Sequence, residues 1–187
     1  MMHAPIAHFL HGRRSETGAA AIELALIFPV IVLLYIGLID LNGYVSVTRR
    51  VANSASILSD LVTQSELSVS AATIDDAFAG AKMAMRPVTA NAIGAEIRNY
   101  RLVNDAVTEQ WRRVSATGPA CGAPDLTGLR DIMAAGNDIL IASICTVHEP
   151  AMSQLLGKQV LGATSFTIQS QVRLRPRESL TLNCIGC

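Results

Sequence analysis

The feature that most constrains this chain is an uninterrupted apolar run from Ala19 to Ile39. As a helix, its 21 residues would extend about 30 Å, which matches the hydrocarbon thickness of a bilayer. The run contains one charged residue, Glu23, which lies five positions after Gly18. Because an ionised carboxylate near a bilayer centre costs roughly 2.5–3.5 kcal/mol, a membrane helix that keeps one there requires a functional reason.

The charges that flank the run predict its orientation in a membrane. Arg13 and Arg14 lie immediately before it, whereas the first basic residues after it are Arg49 and Arg50. This arrangement favours an N-terminus in the cytoplasm and the rest of the chain outside. A secretory signal peptide fits less well, because its apolar region has only about 7–15 residues and ends at a small-residue cleavage site. An uncleaved signal anchor, with Glu23 near the interface, stays open.

The order of basic leader, glycine, apolar run and glutamate resembles the prepilin signal of type IV pilins and their relatives. The segment Gly18–Pro29, GAAAIELALIFP, is similar more narrowly to the TadE/TadG group of pseudopilins of the tight-adherence (Tad, or Flp) pilus. The resemblance implies that an inner-membrane prepilin peptidase cuts between Gly18 and Ala19, and that Glu23 then acts in helix pairing during assembly. It also implies other Tad pilins, pseudopilins and inner-membrane assembly proteins as partners.

The helix is expected to continue beyond the membrane surface. Apolar residues recur at helical spacing with polar residues such as Ser54 and Ser59 beside them, and they form the stripe Val47, Val51, Ala55, Leu58, Leu61 and Val62. We therefore predict one helix from about Ala19 to Thr63. The chain then divides into a cytoplasmic leader at 1–18, a transmembrane helix at 19–39, a periplasmic extension at 40–69 and a periplasmic head domain at 70–187.

A second helix is predicted to start at Thr73, since Thr73–Asp76 has the form of a capping box with acids in the first turn. Pro87 should end this helix, because the residue before a proline is disfavoured in helical geometry. Its apolar face would consist of Ile74, Ala77, Phe78, Ala81 and Met85. Met83 and Met85 fit core filling better than a cofactor site.

Beyond Pro87 the pattern becomes that of strands. Alternation and β-branched content predict strands at 96–103, 107–114, 138–148 and 164–175, a turn at 104–105 and a short helix within 126–135. The segment 138–148 is almost entirely apolar or small, which is typical of a central strand buried on both faces. We predict an α+β fold in which the long N-terminal helix packs on a four-stranded, mainly antiparallel sheet, as in type IV pilins.

The resemblance to TadE/TadG-like proteins continues towards the C-terminus. A strand ends at His148-Glu149-Pro150, another closes in Arg175-Pro176-Arg177, and a terminal cysteine, Cys184, follows. One departure is His148, where an aromatic residue such as tyrosine is frequent in that strand. Taken in order, these features extend the resemblance from about Gly18 to Cys184.

All four cysteines, Cys121, Cys145, Cys184 and Cys187, lie on the outer side of the predicted span. An even number of cysteines in an oxidising compartment indicates disulfides, and four cysteines allow three connectivities. Of these we favour one that ties Cys121 to a C-terminal cysteine. The C-x-x-C spacing of Cys184 and Cys187 leaves a zinc site or a redox pair as alternatives.

The pattern of acids, histidines and nucleophiles favours no catalytic site. Asp75 and Asp76 fit a helix start better than a carboxylate dyad. Ser143 and Cys145 share their strand with His148 but not its parity, so His148 cannot face the same side as these two residues. We therefore expect no enzyme, cofactor or metal.

The net charge of zero argues against a nucleic-acid partner, whereas membrane lipid is an expected one. The function expected is that of a minor pilin or pseudopilin of the inner membrane. The alternative from another class is a single-span anchored binding or sensory domain with no part in a filament.

Overall fold

The structure is a computed structural model that describes residues 16–64, 68–156, 165–177 and 179–187. Its dominant element is helix α1, Glu16–Thr63, which is continuous over 48 residues and includes Pro29 in its interior. The predicted helix over 19–63 is thus confirmed and begins three residues earlier. In the N-terminal half of α1 the apolar side chains are exposed. The most apolar stretch of this half, which is the candidate membrane span, contains no buried residue. The helix is therefore compatible with a single membrane crossing.

The C-terminal half of α1 packs on the head. Its buried residues recur every three or four positions: Val51, Ser54, Ala55, Leu58, Ser59, Val62 and Thr63. The predicted stripe is correct except at Leu61, which is mostly exposed. Ser54 and Ser59 were expected beside the stripe but are buried within it, since small side chains allow the helix to approach the sheet closely.

Helix α2, Ala71–Ala84, runs back along α1 after a short connection. Its N-cap is Ser70, whose hydroxyl accepts a hydrogen bond from the backbone N–H of Thr73. The predicted capping box at Thr73 is therefore wrong. The helix begins about one turn earlier, where the Ser70 side chain accepts a hydrogen bond from one of its free backbone N–H groups. The predicted apolar face is confirmed, since all five of its residues are buried.

The main sheet contains the four predicted strands in the order β3-β2-β4-β5, with every neighbouring pair antiparallel. Strand β4 lies between β2 and β5 and is buried along most of its length, as predicted. Of the predicted last strand, Thr164 lies outside the described residues. The observed bounds are β2 Ile93–Val103, β3 Ala106–Val114, β4 Asp138–His148 and β5 Phe166–Leu174.

The described part also contains two short strands, two short α-helices and a 3-10 turn at Ala90–Ala92. Strands β1, Ser68–Ser70, and β6, Asn183–Ile185, form a parallel two-stranded ribbon that the sequence analysis did not predict. Helix α3, Leu129–Ile132, is the predicted short helix, and helix α4, Ala151–Leu156, was not predicted. The ribbon joins the C-terminal tail to the connection between α1 and α2.

The core lies between one face of the sheet and the two long helices. Ile97, Leu140 and Ile144 point from the sheet towards Leu58 of α1 and Phe78 of α2, and all five belong to one buried cluster. Burying each such side chain contributes about 1.5–3 kcal/mol. The opposite face of the sheet carries a smaller cluster beneath α3, formed by Tyr100, Leu129, Met133, Ile139 and Ile141. This α+β architecture confirms the predicted fold class.

Candidate functional site

The N-terminal part of α1 holds the three residues for which the sequence predicts a role. Gly18 and Ala19 lie inside the helix and are exposed. A Cβ atom added at Gly18 would meet no other atom within 4 Å. Packing within the described chain therefore does not require a glycine at this position. A requirement for a small residue at Gly18 would have to come from a molecule that binds there.

Glu23 is also exposed, and its neighbours along the helix are apolar. It lies four residues after Ala19, so the two residues occupy one face of the helix one turn apart. Among the described residues, Glu23 has no hydrogen-bond or ion-pair partner. Its carboxylate is therefore available to whatever surrounds the exposed half of α1.

The cysteines form two disulfides, and neither is the pairing that we favoured. Cys121 is bonded to Cys145, with the Cα atoms 5.5 Å apart, and Cys184 is bonded to Cys187, with the Cα atoms 5.7 Å apart. The prediction that Cys121 pairs with a C-terminal cysteine is therefore wrong. The C-x-x-C motif closes on itself, within and just after β6.

The loop that follows β3 explains the first disulfide. It passes so closely over β2 that a Cβ atom at Gly94 would overlap the carbonyl of Pro119. This close approach sets Cys121 above β4, against Cys145, which is fully buried beneath the loop. Gln169 of β5 then holds the loop by accepting from the N–H and donating to the carbonyl of Gly122, at 2.8 and 3.1 Å.

A second feature of the head, missed by the sequence analysis, is a buried polar clamp around Asp138. Its carboxylate is fully buried and accepts from Arg101 Nε at 2.6 Å, Asn99 Nδ2 at 2.8 Å and the backbone N–H of Leu182 at 2.8 Å. Trp111 Nε1 donates to the carbonyl of Leu182 at 2.8 Å. The clamp fixes the C-terminal tail across the far end of the sheet, and the hydrogen bond that Arg101 donates to Asp138 raises the pKa of Arg101. An acid at the first position of the strongest strand was the only sequence signal.

The residues that were weighed for catalysis do not come together. Asp75 pairs with Arg113 at 2.7 Å and does not form a dyad with Asp76. His148 packs against the rings of Tyr44 and Phe166, on the opposite face of β4 from Cys145. No cluster of three or more potential metal ligands occurs in the part of the chain that the structure describes.

A cavity of about 680 Å³ lies between the end of α2 and the loop after β3. Its wall is mainly apolar, with Phe78, Met83 and Val88 among the lining residues. Lys82 also lines it and donates to the carbonyl and the hydroxyl of Thr117, at 2.8 and 3.0 Å. Burial lowers the pKa of the Lys82 ammonium. The cavity could accept an apolar group that carries a hydrogen-bond acceptor.

Comparison with known proteins agrees with the N-terminal resemblance. Residues 18–57 match the family model described as TadE-like protein. The match begins at Gly18 and covers the exposed part of α1 with the start of its buried part, about a fifth of the chain. No curated protein matches the chain, and no solved structure does. The match is consistent with a TadE-like protein of a Tad pilus.

Proposed function

We propose that this chain, TadE-like over residues 18–57, is a membrane-anchored minor pilin or pseudopilin that acts in the assembly, initiation or tip of a Tad-type pilus. A prepilin peptidase would remove residues 1–18, and the head would lie in the periplasm or on the filament. The observation that carries the proposal is the start of the family match at Gly18, a glycine that packing in the described chain does not require.

The mechanism follows from the position of two charges on one helix. Cleavage after Gly18 creates an ammonium group at Ala19, one turn from the carboxylate of Glu23. In an apolar helix bundle a lone charge is costly, whereas a matched pair is tolerated. The pair forms within one subunit or between neighbouring subunits, and it sets the register between their helices. The exposed apolar half of α1 supplies the surface for this packing.

The compartment is inferred from the flanking charges and the cysteines. Arginines before the span place the N-terminus in the cytoplasm, so the head is on the outer side of the inner membrane. Disulfides form and persist in such an oxidising compartment, and the head contains two of them. The head would take part in surface attachment or adhesion, with membrane lipid and other Tad pilins as its neighbours.

The test of processing is the N-terminal mass of the protein purified from native membranes. We expect a mature chain that begins at Ala19. Gly18→Leu should leave the precursor intact, while Ala25→Leu, an exposed change in the same helix, should be cut normally. Finding only full-length protein in the native host would contradict the proposal.

The test of assembly is Glu23→Ala, compared with the charge-retaining Glu23→Asp. Removing the carboxylate makes the span more apolar, so insertion and cleavage should proceed. Pilus output should fall at an unchanged protein level, and Glu23→Asp should retain part of it. Normal piliation in Glu23→Ala would exclude an assembly role for this carboxylate.

A second candidate function is a single-span anchored binding or sensory domain. The cavity beside Lys82 favours it, because pockets with apolar walls and few polar groups are typical of ligand sites. The two functions differ at the N-terminus, since a plain anchor keeps its leader. A mature terminus at Ala19 with loss of pili on deletion supports the pilin.

A further inference from the structure

The membrane-proximal end of the head touches the last turns of the predicted span. A Cβ atom added at Gly37 would lie 3.9 Å from Cε of Met152, so α4 packs directly beside this part of α1. Gly43 stands in the same relation to His148, at 3.9 Å from Cε1. Because Gly37 precedes the end of the apolar run at Ile39, α4 lies at the depth where hydrocarbon gives way to headgroups.

Asp40 holds α4 at this depth. It is the first charged residue after the apolar run, and its carboxylate accepts hydrogen bonds from the backbone N–H groups of Ala151 at 2.6 Å and Met152 at 2.9 Å. The two donors replace water around the carboxylate and satisfy the free N–H groups at the start of α4. An acid paired in this way tolerates a poorly hydrated boundary better than a free one.

An aromatic cluster lies next to this contact. The ring centroids of Tyr44 and Phe166 are 5.5 Å apart, and that of His148 is 5.3 Å from Phe166. Tyr44 and Phe166 are nevertheless 40% and 43% exposed. Tyr44 lies about 7 Å along the helix beyond Ile39, which corresponds to the headgroup layer. Aromatic residues with a polar edge are enriched at this level of a membrane.

The two ends of the head differ in chemistry. At the membrane-proximal end, five exposed apolar side chains follow the span: Leu41, Tyr44 and Val45 on α1, Phe166 on the face of the sheet that carries His148, and Val147 on the opposite face. Glu149 is the exposed acid at the edge of this group. The far end carries ion pairs, between Arg177 and Asp60 and between Arg130 and Asp105, beside exposed apolar side chains such as Leu180 and Ile132. What distinguishes the membrane-proximal end is that its exposed apolar side chains adjoin the predicted span.

We propose that the surface formed by these five apolar residues and α4 is a lipid contact, which seats the head in the outer headgroup layer of the membrane that α1 crosses. The proposal rests on the membrane anchoring proposed above. Lipid is the occupant because the surface is continuous with the lipid-facing half of α1 and reaches the same depth. The seat fixes the tilt and rotation of the head relative to the membrane before any assembly.

The test uses the full chain in vesicles of phosphatidylcholine brominated at shallow or deep acyl positions, which quench nearby tryptophans. The native Trp111 lies towards the far end of the sheet and serves as an internal reference. Phe166→Trp and Val147→Trp report on the proposed seat. Leu180→Trp, at an exposed position beside Asp138, is the matched control, and Ile31→Trp reports on the span.

We expect the added emission of Phe166→Trp and Val147→Trp to be quenched, more by shallow than by deep bromines. Ile31→Trp should be quenched most by deep bromines, and Leu180→Trp and the wild type should not be quenched. Quenching of Ile31→Trp without quenching of either seat variant would overturn the lipid contact and leave the anchor intact. Absence of quenching at Ile31→Trp would overturn both.

A second copy of the chain is the other possible occupant of this surface. In that case seat quenching would be weak at high lipid-to-protein ratio, and the Phe166→Trp emission would shift as protein is added. That result would overturn the lipid contact. Quenching that is independent of protein concentration supports it.

Discussion

The buried clamp at Asp138 gives a prediction whose size follows from the structure. Asp138→Ala removes the acceptor for Leu182 N–H, a group on a fully buried residue, and an orphaned buried donor costs roughly 1–3 kcal/mol. It also removes the two hydrogen bonds that Arg101 donates to this carboxylate. Because the Arg101 side chain is 24% exposed, water can replace part of what is lost. Together with the cavity left behind, the loss should be about 3–5 kcal/mol in the free energy of unfolding.

Asp138→Asn removes the negative charge of the side chain and keeps its size. An amide oxygen at the Oδ2 position still accepts from Leu182 N–H, but the amide nitrogen then faces Arg101 Nε, so one bond to Arg101 is lost and the other meets an uncharged acceptor, which should cost about half as much. The matched control is Asp125→Ala, since Asp125 pairs with Arg173 on the surface with 66% of its side chain exposed. Such exposed pairs contribute little to stability, because water screens them.

The assay is denaturant unfolding of the detergent-solubilised chain, followed by Trp111 fluorescence and by hydrogen exchange at Leu182 N–H. The expected order of stability is wild type, then Asp138→Asn, then Asp138→Ala, with the melting temperature of the last lowered on the order of 10 °C. Exchange at Leu182 should accelerate in Asp138→Ala only. A cost for Asp138→Ala no larger than that of Asp125→Ala would refute the clamp.

Three further predictions concern the disulfides, one lysine and the abundance of the protein. Replacing both Cys121 and Cys145 by alanine should lower the free energy of unfolding by about 3 kcal/mol. Replacing Cys184 and Cys187 should cost roughly half as much, because the loop that their disulfide closes is shorter. Equal costs for the two double variants in denaturant unfolding would contradict this assignment. Because the pKa of Lys82 is lowered in the folded state, the folded state binds fewer protons than the unfolded state between this lowered value and the ordinary value of 10.5, so stability should rise with pH through that window. Lys82→Met should lack this rise, and parallel pH curves for the two proteins would disprove the burial effect. Finally, a head of this size is difficult to place at every position of a thin fibre, so quantitative proteomics of sheared pili should find this protein in sub-stoichiometric amounts, and a dominant share would overturn its assignment as a minor component.

The sequence by itself determined the elements that depend on local pattern. The apolar run with Glu23 and the preceding Gly18 predicted the helix and the family match, because a span is a local property of composition and length. The strands were predicted for the same reason, since alternation and β-branched content show which face is buried. The bounds of β4, 138–148, agree at both ends because the strand is almost entirely apolar or small and is flanked by a turn and a proline.

Only the tertiary structure decided which distant residues meet. Cys121 pairs with Cys145 because the loop crosses β2 at Gly94, a close approach that no local pattern records. Asp138 accepts a hydrogen bond from Leu182 N–H, and Asp40 accepts hydrogen bonds from the N–H groups at the start of α4. Tertiary packing brings these carboxylates and backbone groups together. A polar side chain in a sequence shows a capacity for hydrogen bonding. The partner it obtains depends on burial, which forces each group removed from water to find another group in the fold.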